Sequence, residues 1–245
     1  HPLPDQGCLD GCQQILDLAR TLTPRDLVFT LAGNGVSSLL TLPVPGVTLE
    51  DLRCVTHMMQ IERGVPTGDL NPIRNHLDQM KGGKVTRALR QAQLVHLIAW
   101  DCREYDWLID TNVWLHFFPD RSTFADAVAM LRRWNAWDEV PESVRAVLTR
   151  ADPAQETMKR AEFEERHEHI YGVMPERIGM LPTAAARARE LGFQPTIVTT
   201  RLHVEASAYA EESAERARAI EMGQGEFRAP CALINGGEMV VTVGK

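Results

Sequence analysis

Residues 26–40 read DLVFTLAGNGVSSLL, an apolar run that passes into glycine and serine and then into a second apolar segment. A strand that enters a helix through a glycine turn is typical of α/β folds, and the N–H groups at the start of the helix can hold an anion. The residues that would form such an anion-binding turn are Gly33, Asn34, Gly35, Ser37 and Ser38. A plain strand-to-helix turn is the alternative that this stretch alone leaves open.

The rest of the chain alternates short apolar strands with helical patterns. Strands are predicted over 26–31, 93–100 and 195–200, and helices over 7–20, from residue 48 onward, and over 68–84, 122–135, 182–193 and 204–223. This alternation predicts an α/β fold, a mostly parallel Rossmann-like sheet with helices on both faces. Residues 150–168 are expected to form a polar linker, and residues 231–243 a hairpin that turns at Gly236-Gly237.

Composition narrows the class of protein. The 245 residues carry a net charge of -7, which disfavours a nucleic-acid partner. No apolar run reaches the roughly 18 residues that span a bilayer, and no signal peptide opens the chain. Because it begins HPLPDQG without methionine, we expect a processed or excerpted chain. The five scattered cysteines fit free thiols, which predicts a cytoplasmic protein.

Four polar residues follow one another at helical spacing. Asn71, Arg74, Asp78 and Lys81 are three, four and three residues apart, so they would share one face of a helix over 68–84. Arginine and lysine on such a stripe can bind a carboxylate or a phosphate. The alternative is a solvated helix face with an internal Asp78–Lys81 ion pair.

Ligands of parallel α/β sheets collect where the strands end, which points to the loops 32–38, 101–106 and 199–205. Asp101 and Asp106 could hold Mg²⁺ together with substrate phosphates. Glu205 opens a predicted helix, where a carboxylate also suits the helix dipole without any function. The histidines show no spacing typical of metal ligands or catalytic triads, and the aromatic run WLHFF is predicted to be a packed or interface segment.

Several stretches, in this order, resemble one family. They are HPLPDQG (1–7), LAGNGVSSLLTLPVPGVTLEDL (31–52), NPIRNHLDQMKGGK (71–84), QLVHLIAWD (93–101), AAARARELGF (184–193) and INGGEMVVTV (234–243). Together they are similar to the glycerate 2-kinases whose C-terminal half carries the MOFRL domain. The most specific match is the third, which resembles the family's Asn-x-x-Arg-x-His-Leu-Ser-x-x-Lys-Gly-Gly.

The resemblance implies a kinase that uses ATP and Mg²⁺ to phosphorylate D-glycerate at its 2-hydroxyl, or a related small hydroxy acid. It implies that the 32–38 turn binds an anionic group, that Asn71, Arg74 and Lys81 face the same cleft, and that Asp101 lies near metal or phosphate. The partners are then a nucleotide and a hydroxy acid, with a homo-oligomer left open. The implied domains are a Rossmann-like kinase domain over 1–228 and the start of a MOFRL-like domain over 229–245.

The sequence also departs from the family pattern. The family's Gly-Gly-Gly-Ser becomes Gly-Asn-Gly-Val at 33–36, and its Ser-Asp-Val-x-Gly-Asp is replaced over 100–106. Bulky aromatic residues stand within 109–120, where the family has Ile-Ala-Ser-Gly-Pro-Thr, and of the family's Gly-Glu-Ala-Arg only Glu205 and the alanine after it remain. We expect the chain to begin after the family's Gly-Lys-Ala segment and to end before its Gly-Gly-Arg-Asn segment, each of which supplies a cation.

Three hypotheses follow. The first is a glycerate kinase, or a kinase for a related hydroxy acid. The second is a non-catalytic descendant that keeps the scaffold and binds a ligand or partner through the altered loop 110–118. The third is an NAD-dependent hydroxypyruvate reductase, which ranks last because the sequence has no strand–GxGxxG–helix unit with a ribose-binding acid.

Overall fold

The structure is a computed structural model that describes residues 3–33, 35–98, 105–111, 115–166, 169–172 and 179–241. Asn34 and Asp101, two of the predicted site residues, lie outside the described residues. The chain divides into two compact units, His1–Val173 and Met174–Lys245.

Three parallel strands form the sheet of the first unit, in the order β1 (Leu27–Ala32), β2 (Gln93–Ile98) and β3 (His169–Gly172). Parallel neighbours need a long crossover connection, and the segments between these strands supply it. The predicted α/β fold with parallel strands is therefore confirmed.

Besides a π-helix (His57–Glu62) and a short 3₁₀ helix (Pro153–Gln155), nine described α-helices accompany this sheet. They are α1 (Gln6–Ala19), α2 (Val36–Leu39), α3 (Leu49–Thr56), α4 (Thr67–His76), α5 (Lys84–Leu89), α6 (Tyr105–Thr111), α7 (Phe124–Arg133), α8 (Glu142–Arg150) and α9 (Arg160–Glu164). A capping box opens α3, the helix predicted from residue 48 onward: Asp51 N–H donates to Thr48 Oγ1 over 3.1 Å, and Thr48 N–H donates to Asp51 Oδ2 over 2.9 Å. These bonds satisfy backbone donors that a helix start leaves unpaired.

Some helical residues of the first unit pack on one face of its sheet. Leu94 and Ile98 point to that face and belong to two hydrophobic clusters that contain helical residues. On the opposite face, Leu27, Phe29 and Leu31 are 53%, 60% and 70% exposed. Within the described part of this unit, the residues of β1 on this face thus lack the helical cover that the sequence predicted, whereas Val95 of β2, which pairs with Phe29, is buried.

The helix predicted over 68–84 is wrong at its C-terminal half, because α4 ends at His76. Beyond it, the Asp78 carboxylate accepts hydrogen bonds from the backbone N–H groups of Leu42 (3.2 Å) and Met80 (2.8 Å). A short polar side chain that binds backbone groups in this way competes with helical hydrogen bonding. The first two members of the predicted stripe are therefore helical, and the last two lie in the turn that follows.

The linker predicted over 150–168 is also wrong. Met158 and Phe163 are 0% and 1% exposed and belong to a hydrophobic cluster. The backbone of Met158 donates to Gly82 O over 2.8 Å and accepts from Asp120 N–H over 2.9 Å. The linker was predicted from the polar composition of this stretch, which is nevertheless packed into the first unit.

The second unit contains α10 (Met180–Glu190), β4 (Gln194–Leu202), α11 (Ala206–Glu221) and β5 (Cys231–Gly237). β4 and β5 pair in parallel, with register irregularities between Ile197 and Leu202. Among the described residues of this unit, Ala185 alone is buried. Its apolar surface is thus largely exposed.

The hairpin predicted over 231–243 does not form in the described residues. After β5 the chain continues beside β4: Glu238 N–H donates to Leu202 O, and Val240 N–H donates to Val204 O, each over 2.9 Å. Residues 238–241 therefore extend the parallel pairing and do not fold back on β5.

Close packing, and not a hairpin turn, accounts for the glycines at positions 236 and 237. A Cβ at Gly237, where φ is +118°, would lie 2.3 Å from Leu202 N, and a Cβ at Gly236 would lie 2.8 Å from Leu181 Cδ1. Both positions need glycine because a neighbouring segment approaches their backbone.

The division into domains over 1–228 and 229–245 stays a prediction, and its boundary falls inside the second compact unit. Among the described helices, none has the length and apolar character needed to cross a membrane. Cys8, Cys12, Cys54 and Cys231 are free thiols.

Candidate active site

The glycine turn after β1 leads directly into α2. Gly35 caps this helix with a φ of +83°, a left-handed conformation that residues with a side chain rarely adopt. A Cβ at this position would come no closer than 4.0 Å to Leu39, so conformation and not space requires the glycine. Gly33 begins the turn, and α2 carries Ser37 and Ser38.

Ser37 lies between two side chains from distant segments. Its Oγ is 2.8 Å from His116 Nε2, and Arg74 donates to it from Nη2 over 3.4 Å. A guanidinium group has no acceptor, so Ser37 Oγ accepts in that contact and can donate its own hydrogen to His116 Nε2. We refer to these three residues as the Arg74–Ser37–His116 network.

Arg74 brings a positive charge to a small cavity of about 30 Å³, which Ser38 also lines. Asn71 Oδ1 accepts a hydrogen bond from Arg74 Nε over 2.7 Å and so fixes the guanidinium plane. Burial lowers the pKa of Arg74 to about 10, and the Asp78 carboxylate opposes that shift. The group stays charged at neutral pH, which favours an anion at this cavity.

Lys81 also lines this cavity, but its ammonium group binds protein acceptors. The side chain is 2% exposed, and Nζ donates to Leu40 O, to Thr41 Oγ1 over 2.7 Å and to Asp78 Oδ2 over 2.6 Å, which uses all three N–H groups. Burial lowers the pKa of Lys81, whereas Asp78 favours the charged form. The Asp78–Lys81 pair considered from the sequence is therefore present, but it is buried and not solvated.

His116 is not among the site residues predicted from the sequence. The residue is 3% exposed, and its carbonyl accepts a hydrogen bond from Gly83 N–H over 3.0 Å. Burial lowers the pKa of His116 well below its usual range, and the charges of Lys81 and Arg74 add to the effect, so the ring is neutral. Ser37, which it contacts, lies 79 residues away in the sequence, so local spacing does not predict this pair.

Of the two carboxylates predicted to bind Mg²⁺, the structure describes only Asp106. Asp106 lies on α6 with 72% of its side chain exposed, and its Oδ1 pairs with Arg160. Asp101 lies outside the described residues, and among those described there is no group of three His, Cys, Asp or Glu side chains that could hold a metal. The roles of Asp101 and Asp106 at a Mg²⁺ ion therefore stay predictions.

Glu205 lies in the second unit. It precedes α11 as the N-cap residue and forms an isolated parallel bridge with Val240. This position agrees with the helix-end alternative, and its substrate role stays a prediction.

Comparison with known proteins gives matches of three kinds. A family model described as a domain of unknown function, DUF4147, matches residues 1–149. The glycerate 2-kinase of Pyrococcus horikoshii is 30% identical over 255 residues, covering 99% of this chain and 54% of that enzyme. A putative hydroxypyruvate reductase of Agrobacterium vitis is 33% identical over 244 residues, covering 100% of this chain and 53% of that protein.

The third kind of match is structural. The crystal structure of a glycerate kinase from Thermotoga maritima aligns with a TM-score of 0.70 and 30% identity, covering 100% of this chain and 55% of that chain. The chain therefore spans about half the length of the relatives it matches. The resemblance to glycerate kinases that the sequence motifs indicated is confirmed along nearly the whole chain, and the chain belongs to the family that the DUF4147 model describes.

Proposed function

We propose that this chain takes part in the ATP-dependent phosphorylation of D-glycerate at its 2-hydroxyl, or of a related small hydroxy acid. Relatives named glycerate kinase support the reaction class. The observation that carries the proposal is the contact of the partly buried, charged Arg74 with Ser37, which follows the glycine turn.

The chemistry of phosphoryl transfer explains why this placement matters. The reaction spreads negative charge over phosphoryl oxygens, and enzymes accelerate it mainly by positioning and charge stabilisation. In the proposed site, Arg74 binds an anionic oxygen of the hydroxy acid or of the phosphoryl group. Backbone N–H groups of the 33–38 turn add donors, and Asn71 orients Arg74 through its 2.7 Å hydrogen bond.

Lys81 has a positioning role in this proposal. Its ammonium joins Leu40 and Thr41, just after α2, to the Asp78 carboxylate, and so holds the end of the serine-bearing helix in place. Mg²⁺, with Asp101 and Asp106 as its ligands, and the substrate roles of Asn34 and Glu205 belong to the proposal through the resemblance alone.

The net charge and the free thiols indicate which partners and which compartment suit the proposed reaction. A net charge of -7 suits small-molecule partners better than nucleic acid. Free thiols at four described cysteines suit a reducing compartment, so we place the protein in the cytoplasm, with a homo-oligomer as an open alternative.

A non-catalytic descendant that binds a ligand or partner is the second candidate. It is favoured by Lys81, whose three N–H groups bind protein acceptors and so do not contact a substrate. In that case, Arg74→Ala would leave partner binding through the loop 110–118 unchanged.

The test is ADP release from Mg·ATP with and without D-glycerate, on the folded protein. We expect glycerate-dependent release, and we expect Arg74→Ala to lower kcat/KM by about 10²–10³-fold, because one charged donor to the transition state is lost. Arg132→Ala is the matched control, since that guanidinium lies 5.4 Å from the ring centre of Trp137, away from the cavity.

Two results would contradict the proposal. One is the absence of glycerate-dependent ADP release from the folded, full-length protein. The other is equal activity in the Arg74→Ala and Arg132→Ala variants, because the charge at the glycine turn would then do nothing for the reaction.

A further inference from the structure

The Ser37 hydroxyl group lies beside a base. Its Oγ is 2.8 Å from His116 Nε2, and Arg74 Nη2 donates to the same oxygen over 3.4 Å. Because the guanidinium can only donate, Ser37 accepts in that contact and directs its own hydrogen toward the imidazole. A hydroxyl that donates to a neighbouring base in this way is the arrangement that activates serine as a nucleophile.

The imidazole is in the state that a general base requires. Burial lowers the pKa of His116 well below its usual range, and the charges of Lys81 and Arg74 add to this effect, so the ring is neutral at pH 7. The backbone of His116 is held by Gly83, whose N–H donates to its carbonyl over 3.0 Å. In the neutral tautomer with an unprotonated Nε2, the ring can take the proton of Ser37.

The surroundings of Ser37 favour a phosphoryl group. Ser37 lines the small cavity together with Arg74, whose guanidinium stays charged at neutral pH and attracts anionic oxygens. A phosphoryl group that Arg74 binds therefore lies next to the Ser37 hydroxyl, and this serine is half-buried, so a ligand can reach it. Ser38 lines the same cavity, but the contact with the imidazole belongs to Ser37.

We propose that Ser37 accepts the γ-phosphoryl group of ATP and passes it to the hydroxy acid, with His116 as general base. In the first step, Ser37 Oγ bonds to the γ-phosphorus, and the bond from that phosphorus to the bridging oxygen breaks, so that its electron pair leaves with ADP. The hydroxyl proton goes to His116 Nε2, and Arg74 stabilises the charge on the phosphoryl oxygens.

The second step returns the site to its starting state. The 2-hydroxyl oxygen of the acid bonds to phosphorus, and the bond between phosphorus and Ser37 Oγ breaks. His116 gives its proton back to Ser37, and the hydroxyl proton of the acid is released to water. This inference rests on the proposed kinase function, which direct transfer from ATP to the acid would satisfy equally well.

The experiment incubates the folded, full-length protein with Mg·ATP and no hydroxy acid, and it locates phosphoserine by peptide mass spectrometry. We expect one phosphoryl group on Ser37 and none in Ser37→Ala. Ser143→Ala is the matched control, because Ser143 is also half-buried but lies on α8 and does not line this cavity, so its loss should leave the labelling of Ser37 unchanged. His116→Gln keeps a hydrogen-bonding side chain but removes the base, and it should slow the labelling about 10²-fold or more.

A second measurement detects the phosphoserine even if it does not accumulate. Because the first step is reversible, labelled ADP should enter ATP without hydroxy acid in the unaltered chain and not in Ser37→Ala. The absence of both phosphoserine at Ser37 and this exchange would overturn the proposal, and so would equal labelling of the protein in Ser37→Ala. Equal labelling rates in His116→Gln and the unaltered chain would overturn the role of the base.

These outcomes are distinguishable from the failure of the kinase proposal. Glycerate-dependent ADP release with neither phosphoserine nor exchange would leave the kinase function standing and refute the role of Ser37. Phosphoserine at Ser37 without glycerate-dependent release would support the role of Ser37 and count against glycerate as the acceptor.

Discussion

The buried Asp78–Lys81 pair allows a sharp test of whether Lys81 supports the fold. Lys81→Met keeps most of the volume of the side chain and removes its charge. The substitution takes a donor from Asp78 Oδ2, Thr41 Oγ1 and Leu40 O, while Asp78 keeps its two backbone donors. Both members of the pair are at most 2% exposed, so water does not replace the lost ammonium.

The expected loss is large. Removing one partner of a buried ion pair costs about 3–5 kcal/mol of unfolding free energy, because the remaining charge is left uncompensated. This is a substantial share of the roughly 5–15 kcal/mol by which a domain is stable. The assay is urea denaturation at pH 7, followed by two spectroscopic probes to test for a two-state transition.

Two further variants make the interpretation specific. Arg20→Met removes a cation from an exposed pair with Asp17 and should leave the unfolding free energy unchanged within error. Adding Asp78→Asn to Lys81→Met removes the uncompensated charge and should recover about 1–2 kcal/mol. If Lys81→Met loses no more stability than Arg20→Met, the structural role of Lys81 is refuted. Direct contact between Lys81 and the substrate then becomes the better explanation.

Three other outcomes follow from the structure. Burial lowers the pKa of His96 to about 4, so protonation of the unfolded chain below its usual pKa of 6.5 should remove about 2 kcal/mol of stability between pH 7 and 5. Denaturation at both pH values checks this, and His96→Phe should lose that part of the pH dependence. Gly83→Ala places a Cβ 2.6 Å from Met158 Cβ at a φ of +77°, and we expect a loss of more than about 1 kcal/mol, whereas Gly11→Ala, with nothing within 4 Å, should be neutral or stabilising in the same assay. Amide hydrogens of the second unit should exchange faster than those of α4 and α7, because that unit has little buried apolar surface; equal protection by mass spectrometry would contradict this.

Local sequence rules predicted the features that depend on local physics. The strand-to-helix turn at Gly35 and the capping box at Thr48 follow from backbone conformation and hydrogen bonding within a few residues. The contact between Ser37 and His116 joins segments 79 residues apart, so no spacing rule reveals it. Spacing does not predict burial either. It predicted an Asp78–Lys81 pair, but it could not tell whether that pair faces solvent.

The Gly82-Gly83 turn links these long-range features to the candidate site. Both glycines have positive φ, and a Cβ on Gly82 or Gly83 would lie 2.6 Å from Thr157 or Met158. Met158 N–H binds Gly82 O, and Gly83 N–H binds His116 O, so this turn joins the segment from 150 to 168 and the histidine to the end of the Asp78–Lys81 turn. Three segments of the chain therefore meet at these two glycines. Because His116 reaches Ser37 from that point, packing around the glycines fixes the position of the serine that Arg74 contacts.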